Sequence, residues 1–157
     1  MKTRRWRLVV ATLAASVAVW GVDPGAGPIL GVWKLNPEKS KSNGPFPKSL
    51  TYTWAAEEGG MIKLTRDEIN SKGIAVHSQW LGKFDGKDYP DTAPGLDTMW
   101  VTRTGERTFE FAVKKQGKVM ATQKSFVSED GRTLTNVNTG QNEKGEPQTY
   151  TAVMEKQ

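Results

Sequence analysis

Residues equipped for covalent or acid–base chemistry are sparse in this chain of 157 residues. Cysteine is absent and His77 is the single histidine. Thiolate nucleophiles, disulfides, Cys-ligated zinc and histidine triads are therefore excluded. His77 falls opposite Val76 on the strand alternation and is expected at the surface. No Gly-x-Ser-x-Gly elbow, phosphate-cradling loop or carboxylate pair in a cleft is present. Asp85, Asp88, Asp91 and Asp97 gather in one turn-rich stretch. Their spacing does not match the helix-loop-helix calcium motif, and turn chemistry accounts for Asp85-Gly86. Arg66 and Arg103 lie on strand-like segments among apolar neighbours and are expected to point outward; an inward one would pair with an anionic ligand. The pattern is that of a protein that is not an enzyme and carries no metal or cofactor.

Aromatic surface is what the sequence has in quantity, with six tryptophans in a chain of this length. Tyr52, Trp54, Trp80, Trp100, Phe111 and Tyr150 sit mid-strand and are expected to line an interior cavity. Their polar tips suit an apolar or amphipathic small molecule. Trp33 stands apart, in Gly31-Val32-Trp33-Lys34-Leu35. Glycine there lets a neighbouring backbone come close, and the indole plugs the closed end of a barrel. The alternative is an interior filled by these same side chains. That protein would be an envelope structural or interaction module working through its loops at 36–47 and 85–96.

The segments that must position these residues alternate at period two. Leu50, Tyr52 and Trp54 share a face, as do Ile62 and Leu64, then Phe109, Phe111 and Val113. A longer candidate, 74–84, places Ile74, Val76, Trp80 and Phe84 together, with Gly82 marking a bend. Gln116-Gly117 and Asp130-Gly131 are hairpin signals. No helix-period segment follows the first 21 residues. About nine hairpin-linked strands predict an all-β, antiparallel up-and-down β-barrel of 8–10 strands over residues 29–157, a single domain. A two-sheet sandwich is the competing architecture.

Residues 1–21 read as a secretory signal peptide: Lys2, Arg4, Arg5 and Arg7, then an uncharged run from Leu8 to Trp20. That run is shorter than the roughly 20 apolar residues a spanning helix needs. Cleavage is expected after Gly21 or after Ala18, and residues 22–28 are a Gly/Pro-rich flexible spacer. The net charge of +5 belongs to this leader, since the remainder holds 18 basic and 17 acidic residues. A near-neutral mature chain gives no footprint for nucleic acid. The expectation is a periplasmic or secreted monomer with no stable membrane insertion once the leader is removed.

The segment Gly31-Val32-Trp33-Lys34-Leu35 resembles the first-strand motif of the calycins, the lipocalin and fatty-acid-binding-protein barrels. The segments Ser128-Glu129-Asp130-Gly131-Arg132-Thr133-Leu134-Thr135 and Thr151-Ala152-Val153-Met154-Glu155-Lys156 resemble the last hairpins of the fatty-acid-binding proteins. The chain is also similar to small exported bacterial proteins sharing a WKLNPEKSK start, a DGKDYP stretch and a DGRTLT hairpin. The resemblance implies a ligand-binding barrel. Two departures bear on the ligand. Residues 36–47 are too short and too broken to encode the helix-turn-helix lid of fatty-acid-binding proteins. Ala152 and Met154 stand where those proteins carry an Arg-x-Tyr that holds the ligand carboxylate.

Overall fold

The computed structural model describes residues 26–141 and 144–157. The expected leader at 1–21 lies outside the described residues. The chain forms one antiparallel, nearly closed up-and-down barrel. Its strands are β1 (Gly31–Leu35), β2 (Lys41–Ser42), β3 (Ser49–Glu57), β4 (Met61–Ile69), β5 (Ala75–Gly82), β6 (Tyr89–Pro90), β7 (Thr98–Arg103), β8 (Thr108–Lys115), β9 (Lys118–Val127), β10 (Thr133–Gln141) and β11 (Pro147–Lys156). No helix among the described residues is long and apolar enough to cross a membrane.

The order around the wall is β5-β4-β3-β1-β11-β10-β9-β8-β7-β6, with the short β2 added outside on β11. Sequence neighbours pair with each other, as hairpin turns dictate. The exceptions are β2, which pairs β11, the unpaired neighbours β5 and β6, and β1, which joins β3 to β11 and so zips the two ends of the domain together. Gln116 at φ 50° and Gly117 at φ 75° form the two-residue turn expected between β8 and β9. Asp130-Gly131 instead belongs to a five-residue loop, 128–132, between β9 and β10. There Ser128 Oγ donates to Asp130 Oδ1 (2.6 Å) and accepts from the Thr133 amide (2.9 Å).

One end of the barrel is filled. Ile29, Trp33, Ile62, Val101, Phe109, Leu134 and Met154 are almost wholly buried there. Trp33 Nε1 donates to the Ile29 carbonyl at 2.7 Å, satisfying the polar tip that burial would otherwise leave unpaired. Lys156 Nζ sits 5.1 Å from the centroid of the Trp33 ring. The chain is packed before the expected flexible spacer ends: Ala26 and Ile29 have no exposed surface, and Gly27–Ile29 is a turn of 3₁₀ helix.

The wall's two free edges, β5 and β6, meet at a seam where no ladder runs. Strand β5 ends at Gly82, two residues short of the expected 84, and the glycine is there for ring packing. A Cβ at Gly82 would lie 2.3 Å from the Trp80 ring and 2.7 Å from that of Tyr89. The seam is held by isolated bridges, Trp80 with Asp91 and Asp85 with Thr102. The Thr92 amide donates to the Gln79 carbonyl at 3.0 Å, and Thr92 Oγ1 accepts from the Gln79 amide at 2.7 Å. Trp80 Nε1 reaches across to the Met99 carbonyl at 2.9 Å.

Beneath these bonds lies an ion pair between Arg66 Nη2 on β4 and Asp91 Oδ1. Arg66 therefore faces inward, against the expectation that it is solvated. It shares the inward parity of Ile62 and Leu64. Asp91 has a fully buried side chain and also accepts from the Ala93 amide at 2.9 Å. Removing one charge of a buried pair strands the other, at a cost of about 3–5 kcal/mol. Asp91→Asn is accordingly expected to lower unfolding stability by an amount in this range in a urea titration. A loss below ~1 kcal/mol would mean that the pair is hydrated and does not hold the seam.

Candidate functional site

The other end of the barrel is hollow. A cavity of about 450 Å³ opens there, within the range of small-molecule pockets. The interior is thus filled at one end only, and the filled-core alternative does not describe this chain. Its lining carries four aromatic side chains, Tyr52 and Trp54 on β3, Phe111 on β8 and Tyr150 on β11. These four of the six expected ligand-facing residues are brought together. Their parity puts them inside: Tyr52 and Trp54 alternate with the partly buried Thr51 and Thr53, while Tyr150 precedes the buried Ala152 and Met154 by one and two pairs.

Trp54 lies at the cavity floor. Its ring meets Trp80 at 6.4 Å, Phe84 at 5.9 Å and Phe111 at 5.7 Å between centroids. Its Nε1 is buried with no acceptor, so it offers ring surface rather than a hydrogen bond. At the rim, Phe46 packs edge-on against Tyr150 at 5.6 Å.

The other two aromatic expectations are corrected. Trp80 points inward but lies below the floor, only 1% exposed, stacked with Phe84 and edge-on to Tyr89. It supports the cavity and does not line it. Trp100 is on the outer face, because its neighbours Met99 and Val101 take the inner one. Trp33 belongs to the filled end, away from the cavity lining.

Polar side chains alternate with these rings around the wall, which the aromatic reading missed: Arg66 stands opposite Tyr52 in register, Asn138 opposite Tyr150 and Gln123 opposite Phe111. Arg66, Glu68 and Asn70 from β4 and its turn, Ser78 from β5, and Gln123 and Asn138 from β9 and β10 all reach the lining. Arg66 Nε donates to Ser78 Oγ at 2.9 Å. Gln123 Nε2 donates to Ser125 Oγ (2.8 Å), whose hydroxyl donates to Asn136 Oδ1 (2.6 Å). This chain of side chains carries polarity from the cavity down into the core at Ser125 and Asn136, both essentially unexposed. The signal was present in the parity of Leu134, Asn136 and Asn138, where polar types masked an inward face.

The remaining polar candidates are accounted for outside the cavity. Arg103 is exposed and donates to the Gly105 and Glu106 carbonyls. His77 is exposed, with Nδ1 2.7 Å from Asp67 Oδ1. Asp85 accepts from Tyr89 Oη at 2.9 Å, Asp88 pairs with Lys114 at 2.8 Å, and Asp97 accepts from the Gln116 amide at 2.5 Å. The four aspartates thus have four separate partners, and among the described residues no acidic cluster is arranged to hold a metal ion.

No protein-family model and no curated protein matches the sequence. Solved structures do match in shape. The fluorescent protein UnaG superimposes over 84% of this chain and 99% of its own, with a TM-score of 0.57 at 12% identity. The S-type phycobiliprotein lyase CPES from Guillardia theta superimposes over 83% of this chain and 89% of its own, with a TM-score of 0.51 at 9% identity. The barrel is calycin-like. At such identities the likeness is one of fold, and the resemblance drawn from Gly31-Val32-Trp33 and the closing hairpins holds at that level.

Burial dominates the electrostatics of this calycin-like cavity. It pushes the Tyr52 phenol up to about 12, with Arg66 opposing and Glu68 reinforcing the shift. Burial drives Tyr150 upward as well, again with Glu68 adding to it. The Glu68 carboxyl is raised by burial and partly drawn back by Arg66. The unfolded chain releases tyrosine protons near ~10, whereas the folded one retains them. Stability contributed by Tyr52 is therefore complete below about pH 10 and is lost as the pH climbs toward about 12. Tyrosinate absorbance should appear late and together with loss of fold, and Tyr52→Phe should flatten this alkaline decline. Ionisation near pH ~10 with the fold intact would show that the cavity wall is hydrated.

Proposed function

We propose that this chain is an exported, monomeric carrier that holds one small amphipathic molecule in the hollow end of its calycin-like barrel. The observation that carries the reading is the mixed cavity of about 450 Å³, in which Tyr52, Phe111 and Tyr150 each sit beside a polar cross-strand partner, Arg66, Gln123 and Asn138. Ring surface supplies burial of the apolar part, and the polar side chains fix orientation. A wholly apolar ligand would leave Glu68, Gln123 and Asn138 facing hydrocarbon, at a cost for each group shorn of water.

A carrier is favoured over an enzyme by the nature of the ionisable groups along the wall. Arg66 is committed to Asp91, and burial makes the tyrosine protons harder to remove. Neither is suited to moving a proton at neutral pH, and Glu68, the lining carboxylate that could, has no histidine, cysteine or second carboxylate beside it among the described lining residues. Export rests on the basic and apolar pattern of residues 1–21. It supports a periplasmic or secreted location, with the intact mass of the mature chain as its test: loss of residues 1–21 or 1–18 is expected, and an uncut chain would contradict it.

Binding is read from the fluorescence of Trp54. A titration with octyl-chain amphiphiles should change the emission and saturate at one molecule per chain. Val76 lines the cavity, and Val76→Phe, which places a ring in the hollow, should weaken binding by at least about tenfold, some 1.4 kcal/mol. An unaltered affinity in that variant, or saturation at many molecules per chain, would remove the interior as the site.

A further inference from the structure

The lining holds one cation and one carboxylate, but the cation is already paired with Asp91 behind the wall, and that bears on the class of ligand. Resting on the carrier reading above, we propose that the molecule is a cation, an amphipathic ammonium held between the Glu68 carboxylate and the aromatic side chains of the lining.

Among the described residues, Arg66 and Glu68 are the only charged side chains in the lining. All three guanidinium nitrogens of Arg66 are turned to protein: Nη2 to Asp91, Nε to Ser78 Oγ at 2.9 Å, and Nη1 to Met99 Sδ at 3.8 Å. Its side chain is 14% exposed. An incoming carboxylate would have to take Arg66 from a buried partner that cannot be left alone. Glu68 is in the opposite position. Among the described residues it has no hydrogen bond and no ion pair within 4 Å, and its carboxyl feels Arg66 beside it and the phenols of Tyr52 and Tyr150. β5 contributes Val76 and Ser78 to this part of the lining, neither of them charged.

With Asp91 included, the described residues of the interior hold two carboxylates to one guanidinium, so the interior is neutral with Glu68 protonated and negative with Glu68 ionised. No protonation state of Glu68 gives it the excess positive charge that would draw an anion. The rings point the same way. Tyr52, Trp54, Phe111 and Tyr150 line the hollow, and an aromatic face in reach of a ligand attracts a cation and not a carboxylate. An ammonium would give Glu68 the counter-charge that the fold leaves out, and its alkyl or aryl remainder would cover Trp54 and Phe111. Ala152 and Met154 are buried and apolar, so β11 adds no cation to the interior.

Octyltrimethylammonium, octanol and octanoate share a chain length and differ in headgroup charge, which makes them the probes for calorimetric titration of the purified protein. The expected order is ammonium over alcohol over carboxylate, with at least about tenfold between the first and last. In Glu68→Gln the ammonium should lose its advantage, its affinity falling to that of octanol. Glu68 has no partner to forfeit, and far-ultraviolet circular dichroism checks that the variant keeps its fold. Octanoate binding as tightly as the ammonium, or an ammonium-to-octanol ratio unchanged by the substitution, would overturn the proposal. Tight octanol binding without ammonium preference would sink the charge inference and leave the carrier reading standing. Binding of none of the three would remove both.

Discussion

The Arg66–Asp91 ion pair is the point at which the barrel's closure and its interior chemistry meet. An up-and-down meander whose two ends are joined by β1 and β11 must place its gap in the middle of the chain, between β5 and β6. Backbone pairing there is reduced to isolated bridges. The guanidinium on β4 reaches past β5, through Ser78, to a carboxylate carried by the segment that follows β6. Burial makes this pair costly to form and more costly to break, which is what a latch between two unpaired edges requires. The same contact engages Arg66, the cation that the described residues bring to the cavity lining.

Closure alone does not explain why one end is solid and the other hollow. The solid end is packed with Trp33, Phe109, Ile62, Leu134 and Met154. Trp54, Trp80 and Phe84 then form an aromatic layer across the middle. Above that layer several inward side chains are small or polar, Ala121, Ser78, Gln123 and Asn138 among them. Small residues leave volume, and polar ones keep it wet. The change in side-chain size along the barrel axis makes the site, with no insertion or lid helix needed.

Much of this was legible in alternation. Tyr52 with Trp54, and Phe111 with Phe109, announce their inward faces because the residues between them are polar. Trp100 carried the same information in reverse, since Met99 and Val101 claim the inside and leave the indole without. Trp80 shows where parity stops: it gives the face and not the height, and height depends on strand register, here Leu64 opposite Trp80. Arg66, Asn136 and Asn138 were hidden by their own chemistry, because an inward polar residue breaks the pattern by which inward positions are recognised. Asp91 was beyond reach, being 25 residues from its partner in a stretch rich in turns.

The described residues hold four tryptophans, at 33, 54, 80 and 100. They occupy the filled end, the cavity floor, the layer beneath it and the outer wall. Indole N–H signals in a nitrogen–proton NMR spectrum therefore report on four distinct places as an octyl amphiphile is added. The account predicts that Trp54 moves most, Trp80 less, and Trp33 and Trp100 stay where they are. Movement led by Trp100, or four signals indifferent to the titrant, would contradict it.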